Sequence, residues 1–129
     1  MTAKALLGQA LENYTDLTTL LGVDDDGNSR IYQSWHESSR GYPQITITRI
    51  NEFGVSHGDN GTIVKAVPMQ VDVWVSASYS SSPTAVELEV KNAILEMPEA
   101  SRSVPRVIDD NFDTLDKVYR ITIQTTIYN

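Results

Sequence analysis

From Val118 to Tyr128 the chain alternates without interruption: Tyr119, Ile121, Ile123, Thr125 and Ile127 fall on one side, and Arg120, Thr122, Gln124 and Thr126 on the other. A period of two sustained over eleven residues fits a β-strand and no helix, and it requires a sheet with one face pressed against a core. Its length and regularity predict a central strand. Ile63 to Ser76 reads the same way, with Val71, Val73 and Val75 alternating against Asp72 and Trp74. Proline offers no N–H to a ladder. Pro68 therefore predicts a one-residue bulge, which would put Val64 and Ala66 on the face of Met69 and Val71. Shorter strands are expected at Ile31-Tyr32 and from Gln44 to Ile50, where Ile45 and Ile47 alternate with Thr46 and Thr48. Asn51 to Gly61, rich in Gly, Asn and Asp, reads as a loop, and a proline-bearing segment surrounds Val104 to Ile108.

Three stretches switch to the helical period. Ala3, Leu6, Leu7, Ala10, Leu11 and Tyr14 share one face, with Thr2 placed to cap the first turn. A short second helix from Asp16 to Leu21 carries Leu17, Leu20 and Leu21 and ends at Gly22, the residue best able to take a left-handed conformation. Ser82 and Pro83 form a cap followed by proline at the first helical position, opening a helix that runs to about Met97 and stops before Pro98. Helices, strands, helix, strands in that order predict an α+β fold: a mostly antiparallel sheet of four to five strands with the helices packed on one face. At 129 residues the chain has room for one domain, 1–129.

Composition excludes several function classes. An apolar share of 40% and a charged share of 21% suit a soluble globular domain. The chain has no cysteine, which removes disulfides, thiolate metal ligands and a cysteine nucleophile, and fits folding in a reducing cytoplasm. Neither a signal peptide nor an apolar run long enough for a membrane span is present, so no membrane association is expected. A net charge of −7 opposes the cationic contacts from which nucleic-acid affinity is built.

The remaining chemical signals are weak. Asp24, Asp26 and Asn28 have the spacing of the first ligands of a calcium loop, but Ser29 stands where that loop needs glycine and Trp35 where it needs a bidentate glutamate. A solvated acidic turn is the better reading. His36, His57 and Asp59 lack the spacing of a tetrahedral site. No serine lies in a Gly-x-Ser-x-Gly elbow, and no glycine-rich phosphate loop exists. The carboxylates read as turn residues (Asp109, Asp110, Asp113) or helix flanks (Glu87, Glu89, Glu96). No catalytic, cofactor-binding or metal-binding residue is expected.

The order of the pieces resembles the tail completion, or tail terminator, proteins of tailed bacteriophages. The similar segments are "ALLGQALENYTDLTTLLG", "RIYQSW", "GYPQITI" and "PMQVDVWVSASYSSSPTAVELEVKNAIL". They match that family's helix pair, short strand, Tyr-Pro-led strand, long Val/Trp strand and Ser-capped helix. The resemblance covers nearly the whole chain, residues 51–62 and the acidic turn least. It implies a homo-oligomeric ring, usually hexameric, that caps the tail tube protein, stops tube growth and offers its other face to a head connector or stopper protein. It implies a virion location in the tail or neck, with assembly in the cytoplasm of the bacterial host. Another neck or head-completion component of the virion remains an alternative, as does a small ligand-binding or hydrolytic domain.

The Ser-capped helix carries a second signal. With Val86 at zero and about 100° per residue, Val90, Ala93, Ile94 and Met97 cluster on one side while Leu88 and Leu95 lie nearly opposite. A helix apolar on two sides is expected to be covered on two sides. The first stripe is assigned to the sheet, and Leu88 and Leu95 to a neighbouring subunit of the ring.

Overall fold

The two long alternating segments form the middle of one sheet. In the computed structural model, which describes residues 2–50, 53–57, 63–77, 83–100, 104–113 and 117–128, β4 (Ile63–Ser76) pairs antiparallel with β6 (Val118–Tyr128) from Ala66↔Tyr128 to Ser76↔Val118. On the other side of β4 lie β2 (Gln44–Arg49), antiparallel, and then β1 (Ile31–Tyr32), parallel to β2. β5 (Arg106–Asp113) borders β6, giving the order β1-β2-β4-β6-β5. A further strand, β3 (Phe53–His57), pairs with the first part of β4. The fold is α+β, with a six-stranded, mostly antiparallel sheet among the described residues.

Several expectations are corrected. No bulge occurs at Pro68, because the β4–β6 register runs unbroken through Pro68↔Thr126. The Pro68 carbonyl accepts from the Ile50 N–H at 2.9 Å, and the amide and carbonyl of one strand residue point the same way. The donor that proline lacks therefore faces the gap between β2 and β3, not β6. Val67, Met69, Val71, Val73 and Val75 consequently share the core face, and Ala66 lies on the other.

The segment read as a loop from Asn51 to Gly61 contains β3. β2 reaches only Met69 on β4, so the first part of β4 is open for β3 to pair, with a register shift between Gly54 and Ser56. Asp109, Asp110 and Asp113 are not in turns. They belong to β5, an outer strand, where charge is common because it discourages pairing with foreign strands. With these two elements the sheet has six strands among the described residues.

All three described α-helices pack on one face. α1 (Ala3–Glu12) is capped by Thr2, whose Oγ1 accepts the Ala5 N–H at 3.1 Å. α2 (Thr15–Leu21) ends at Gly22 with φ 70° and ψ −161°, a region open essentially to glycine alone. Its positive φ was expected, but the ψ is not that of a left-handed helix. α3 (Pro83–Leu95) ends two residues short of Met97, and its expected cap, Ser82, lies outside the described residues. Leu7, Leu11, Leu17 and Leu21 meet Val86, Val90 and Ile94 and, beneath them, Ile45, Ile47, Val71, Val73, Ile121 and Ile123 in one buried core. No helix among the described residues is long and apolar enough to cross a membrane.

Candidate interaction surfaces

The outer side of α3 has the geometry its spacing requires. Val86, Val90, Ala93 and Ile94 are buried, while Leu88 and Leu95 are 54% and 58% exposed. Leu95 lies seven positions after Leu88, two turns or about 10 Å along the helix. Beside them Glu87 and Lys91 pair at 2.9 Å one turn apart, and Glu96 is exposed.

The acidic turn is a closed structure. Asp24 Oδ1 accepts the backbone N–H groups of Asp26 and Asn28, each at 3.0 Å, and Oδ2 accepts the Tyr32 hydroxyl at 2.8 Å. Gly27 supplies the positive φ, 83°, that the turn needs. The Asn28 N–H and then the Tyr32 hydroxyl hold the Asp24 carboxyl below its ordinary range. Burial first, and then the bond to Asp24, push the Tyr32 hydroxyl up to about 12. Both carboxylate oxygens of Asp24 thus accept donors, one from the turn and the other from β1.

The sheet face away from the helices holds what sequence reasoning missed. Asp72 and Trp74, read as the outward members of the alternation, are 0% and 4% exposed. Asp72 Oδ1 accepts from Arg120 Nε at 3.1 Å and Thr122 Oγ1 at 2.6 Å, and Oδ2 accepts from Gln70 Nε2 at 2.9 Å. Trp74 Nε1 donates to Thr46 Oγ1 at 2.9 Å. Register brings these groups together, since Thr46 faces Asp72 and Asp72 faces Thr122 across three adjacent strands. Three donors engage both oxygens of Asp72, so the side chain ties neighbouring strands together within the sheet.

The cover over this face is the crossover from β1 to β2. Two parallel neighbouring strands need a connection that leaves the sheet plane, and residues 33–43 take the side without helices. Gln44, fully buried, ties the crossover down: its Oε1 accepts the Glu37 N–H at 3.2 Å, and its Nε2 donates to the Glu37 and Gly41 carbonyls, each at 2.9 Å. His36 stacks on Trp74 with centroids 3.8 Å apart, and Trp35 meets the Trp74 ring edge-on at 5.1 Å. The Arg120 guanidinium lies 5.2 Å from the Trp35 ring and 5.1 Å from that of Trp74. Arg40 sits 4.1 Å over the Tyr32 ring. Trp35 nevertheless remains 54% exposed. Arg30 joins this cover to the helical layer, donating to the α2 terminal carbonyl of Leu21 at 2.8 Å and to Arg40 O at 3.0 Å.

The histidines do not converge. His57 pairs with Ile63 at the far end of β4 from Trp74, about 36 Å away at strand rise. Asp59 lies outside the described residues, and no cluster of three His, Cys, Asp or Glu is found among those described. The signal that could have revealed the covered second face was the set Gln44, Thr46, Asp72, Trp74, Arg120 and Thr122, whose bonding groups complement one another only once the register is known.

No protein-family model matches the chain, and no curated protein matches it by sequence. Among solved structures, the chain is similar to one in the "Virion of native gene transfer agent (GTA) particle", with a TM-score of 0.61 and 14% identity over 98% of this chain and 95% of that one. At that identity the likeness is one of fold.

Proposed function

We propose that this chain is a structural protein of a phage-type virion, and more specifically a tail terminator: a subunit that assembles into a hexameric ring, caps the tail tube and presents its other end to the head connector. The observation that carries the reading is the end-to-end fold likeness to a chain of a virion particle, covering 98% of this chain and 95% of that one. The ordered resemblance of the helix pair, the Tyr-Pro-led strand, the Val/Trp strand and α3 to tail terminators supports the finer assignment. A ring also needs a side-to-side surface, and the exposed Leu88 and Leu95 are the residues proposed for it. A structural role asks for recognition surfaces rather than a reactive group, and the carboxylates of Asp24 and Asp72 are engaged within the fold.

Electron microscopy of particles assembled with and without the protein tests this. Overlong or headless tails in its absence, and a ring at the tail end nearest the head in its presence, are expected; the rotational symmetry of that ring is read from the same images. Normal tails joined to defective or leaking heads would instead assign the chain to another neck or head-completion position.

A further inference from the structure

The two covers of the sheet are held by different forces. On the helical side the contact is apolar, and the buried cluster passes from Ile31 directly to Ile45 with no member among residues 32–44. The crossover on the other side brings little apolar surface of its own: Ser34, Trp35, Glu37, Ser38 and Ser39 are exposed, and His36 and Arg40 are half-buried. Beneath it lie Thr46, Asp72, Thr122 and the Trp74 indole. Removing area from water stabilises a fold mainly where that area is apolar, whereas a charged or hydroxyl group that is uncovered recovers its hydration. Lifting the crossover therefore costs little beyond its specific contacts, and lifting a helix would expose the core. Those contacts are few. Gln44 on β2 bonds to the Glu37 N–H and to the Glu37 and Gly41 carbonyls, and His36 stacks on Trp74. Within the crossover, Arg40 donates to Trp35 O at 3.1 Å and Ser34 Oγ at 3.0 Å and pairs with Glu37 at 3.4 Å, which braces residues 34–40 into one piece. Arg30 pins the far end of that piece through Arg40 O.

We infer that residues 33–39 form a strap that opens as a unit on the intact fold: it is fastened by Gln44, pivots at the end held by Arg30 and uncovers Trp74 and Asp72. Segments with few buried apolar contacts open at lower free energy than the core that carries them. Gln44 is the fastener because all three of its bonds cross from the sheet to the strap. Gln44→Leu leaves the Glu37 N–H and the Glu37 and Gly41 carbonyls without these partners only while the strap is closed; in the open form water serves them. The substitution therefore penalises the closed form alone and shifts the population toward the open one.

Hydrogen exchange read by NMR tests this with two reporters on opposite sides of the gap. The Glu37 amide is bonded to Gln44 Oε1, and the buried Trp74 indole N–H to Thr46 Oγ1. Both should exchange with one common opening constant, far faster than the amides of the β4–β6 ladder. In Gln44→Leu both should speed up together, by about tenfold or more for three lost bonds, while the ladder keeps its protection relative to global unfolding. Acrylamide should then quench the fluorescence of Trp74 in a Trp35→Phe background, where it is the sole indole, with an unchanged far-ultraviolet spectrum. Reporters no faster than the ladder overturn the inference, because strap and core then open together. Reporters that disagree show that the strap is not a unit, and a Gln44→Leu variant that leaves both rates unchanged shows that Gln44 does not fasten it. Should Gln44→Leu fail to fold, the wild type decides through urea: exchange of the two reporters should hardly respond to low urea, since little surface is uncovered, while ladder exchange rises steeply. An equal response of both overturns the inference.

Discussion

Asp24 and Asp72 are both carboxylates spent on internal donors, and their positions make different predictions. Asp24 lies in a surface turn, with its carboxyl held below the ordinary range chiefly by the Asn28 N–H. A depressed folded value means that its contribution is fully present above the ordinary value of about 3.9 and is lost as pH falls through the folded value. Asp24→Asn should lower the melting temperature at neutral pH, and the gap from wild type should close as the pH drops below about 4. A gap that stays constant down to pH 2 would show that the charge of Asp24 is irrelevant to the turn. Asp72 is fully buried, and removing it strands a guanidinium that is only 24% exposed. Asp72→Leu should cost about 2 to 4 kcal/mol, toward the lower end because Arg120 retains some contact with water. Adding Arg120→Leu should restore much of that loss, since apolar replacement of both partners of a buried pair is often tolerated. Denaturant unfolding of the two variants checks both statements.

At the scale of elements, α3 divides cleanly into a buried and an exposed stripe. Ile94 has no exposed surface and lies in the core with Val86 and Val90. Ile94→Glu should unfold the domain, because an unpaired buried charge costs several kcal/mol against a total stability of roughly 5 to 15 kcal/mol. Leu88→Lys with Leu95→Lys should leave the far-ultraviolet spectrum and the melting temperature nearly unchanged, since both side chains already face water. A melting temperature lowered by ten degrees or more would place these leucines in the monomer's own packing. The sheet edges follow a different logic. β5 carries Asp109 and Asp110 outward, and an acidic outer strand discourages uncontrolled pairing by other chains.

For the whole molecule, charge sets the relation to DNA. A net charge of −7 repels phosphates at a distance, and the two guanidinium groups beside the exposed Trp35 are paired, that of Arg120 with Asp72 and that of Arg40 with Glu37. No retarded band with duplex DNA is expected near physiological salt. A band that disappears steeply with added salt would reveal a cationic surface that the net charge conceals. The same acidity predicts that ring assembly strengthens as salt rises from low values, because screening weakens repulsion between like-charged subunits more than it weakens an apolar contact.

Local periodicity was enough to determine much of this protein. The alternation in Val118 to Tyr128 and around Val71 to Val75, the 3.6-residue spacing in α1 and α3, and the caps at Thr2 and Gly22 are properties of neighbours in the chain, so the strands, the helices and the core face were legible from residue order. What depended on distant partners was not. β3 exists because β2 leaves the first part of β4 unpaired, and β5 is a strand despite its aspartates because β6 offers it a ladder. Pro68 passes through the sheet without a bulge because its missing donor happens to face a gap. Asp72 and Trp74 alternate just as solvent-facing residues do, and only the path of residues 33–43 across the sheet buries them. A period of two says that a strand has two faces; which of them meets water is decided by what the rest of the chain lays over each.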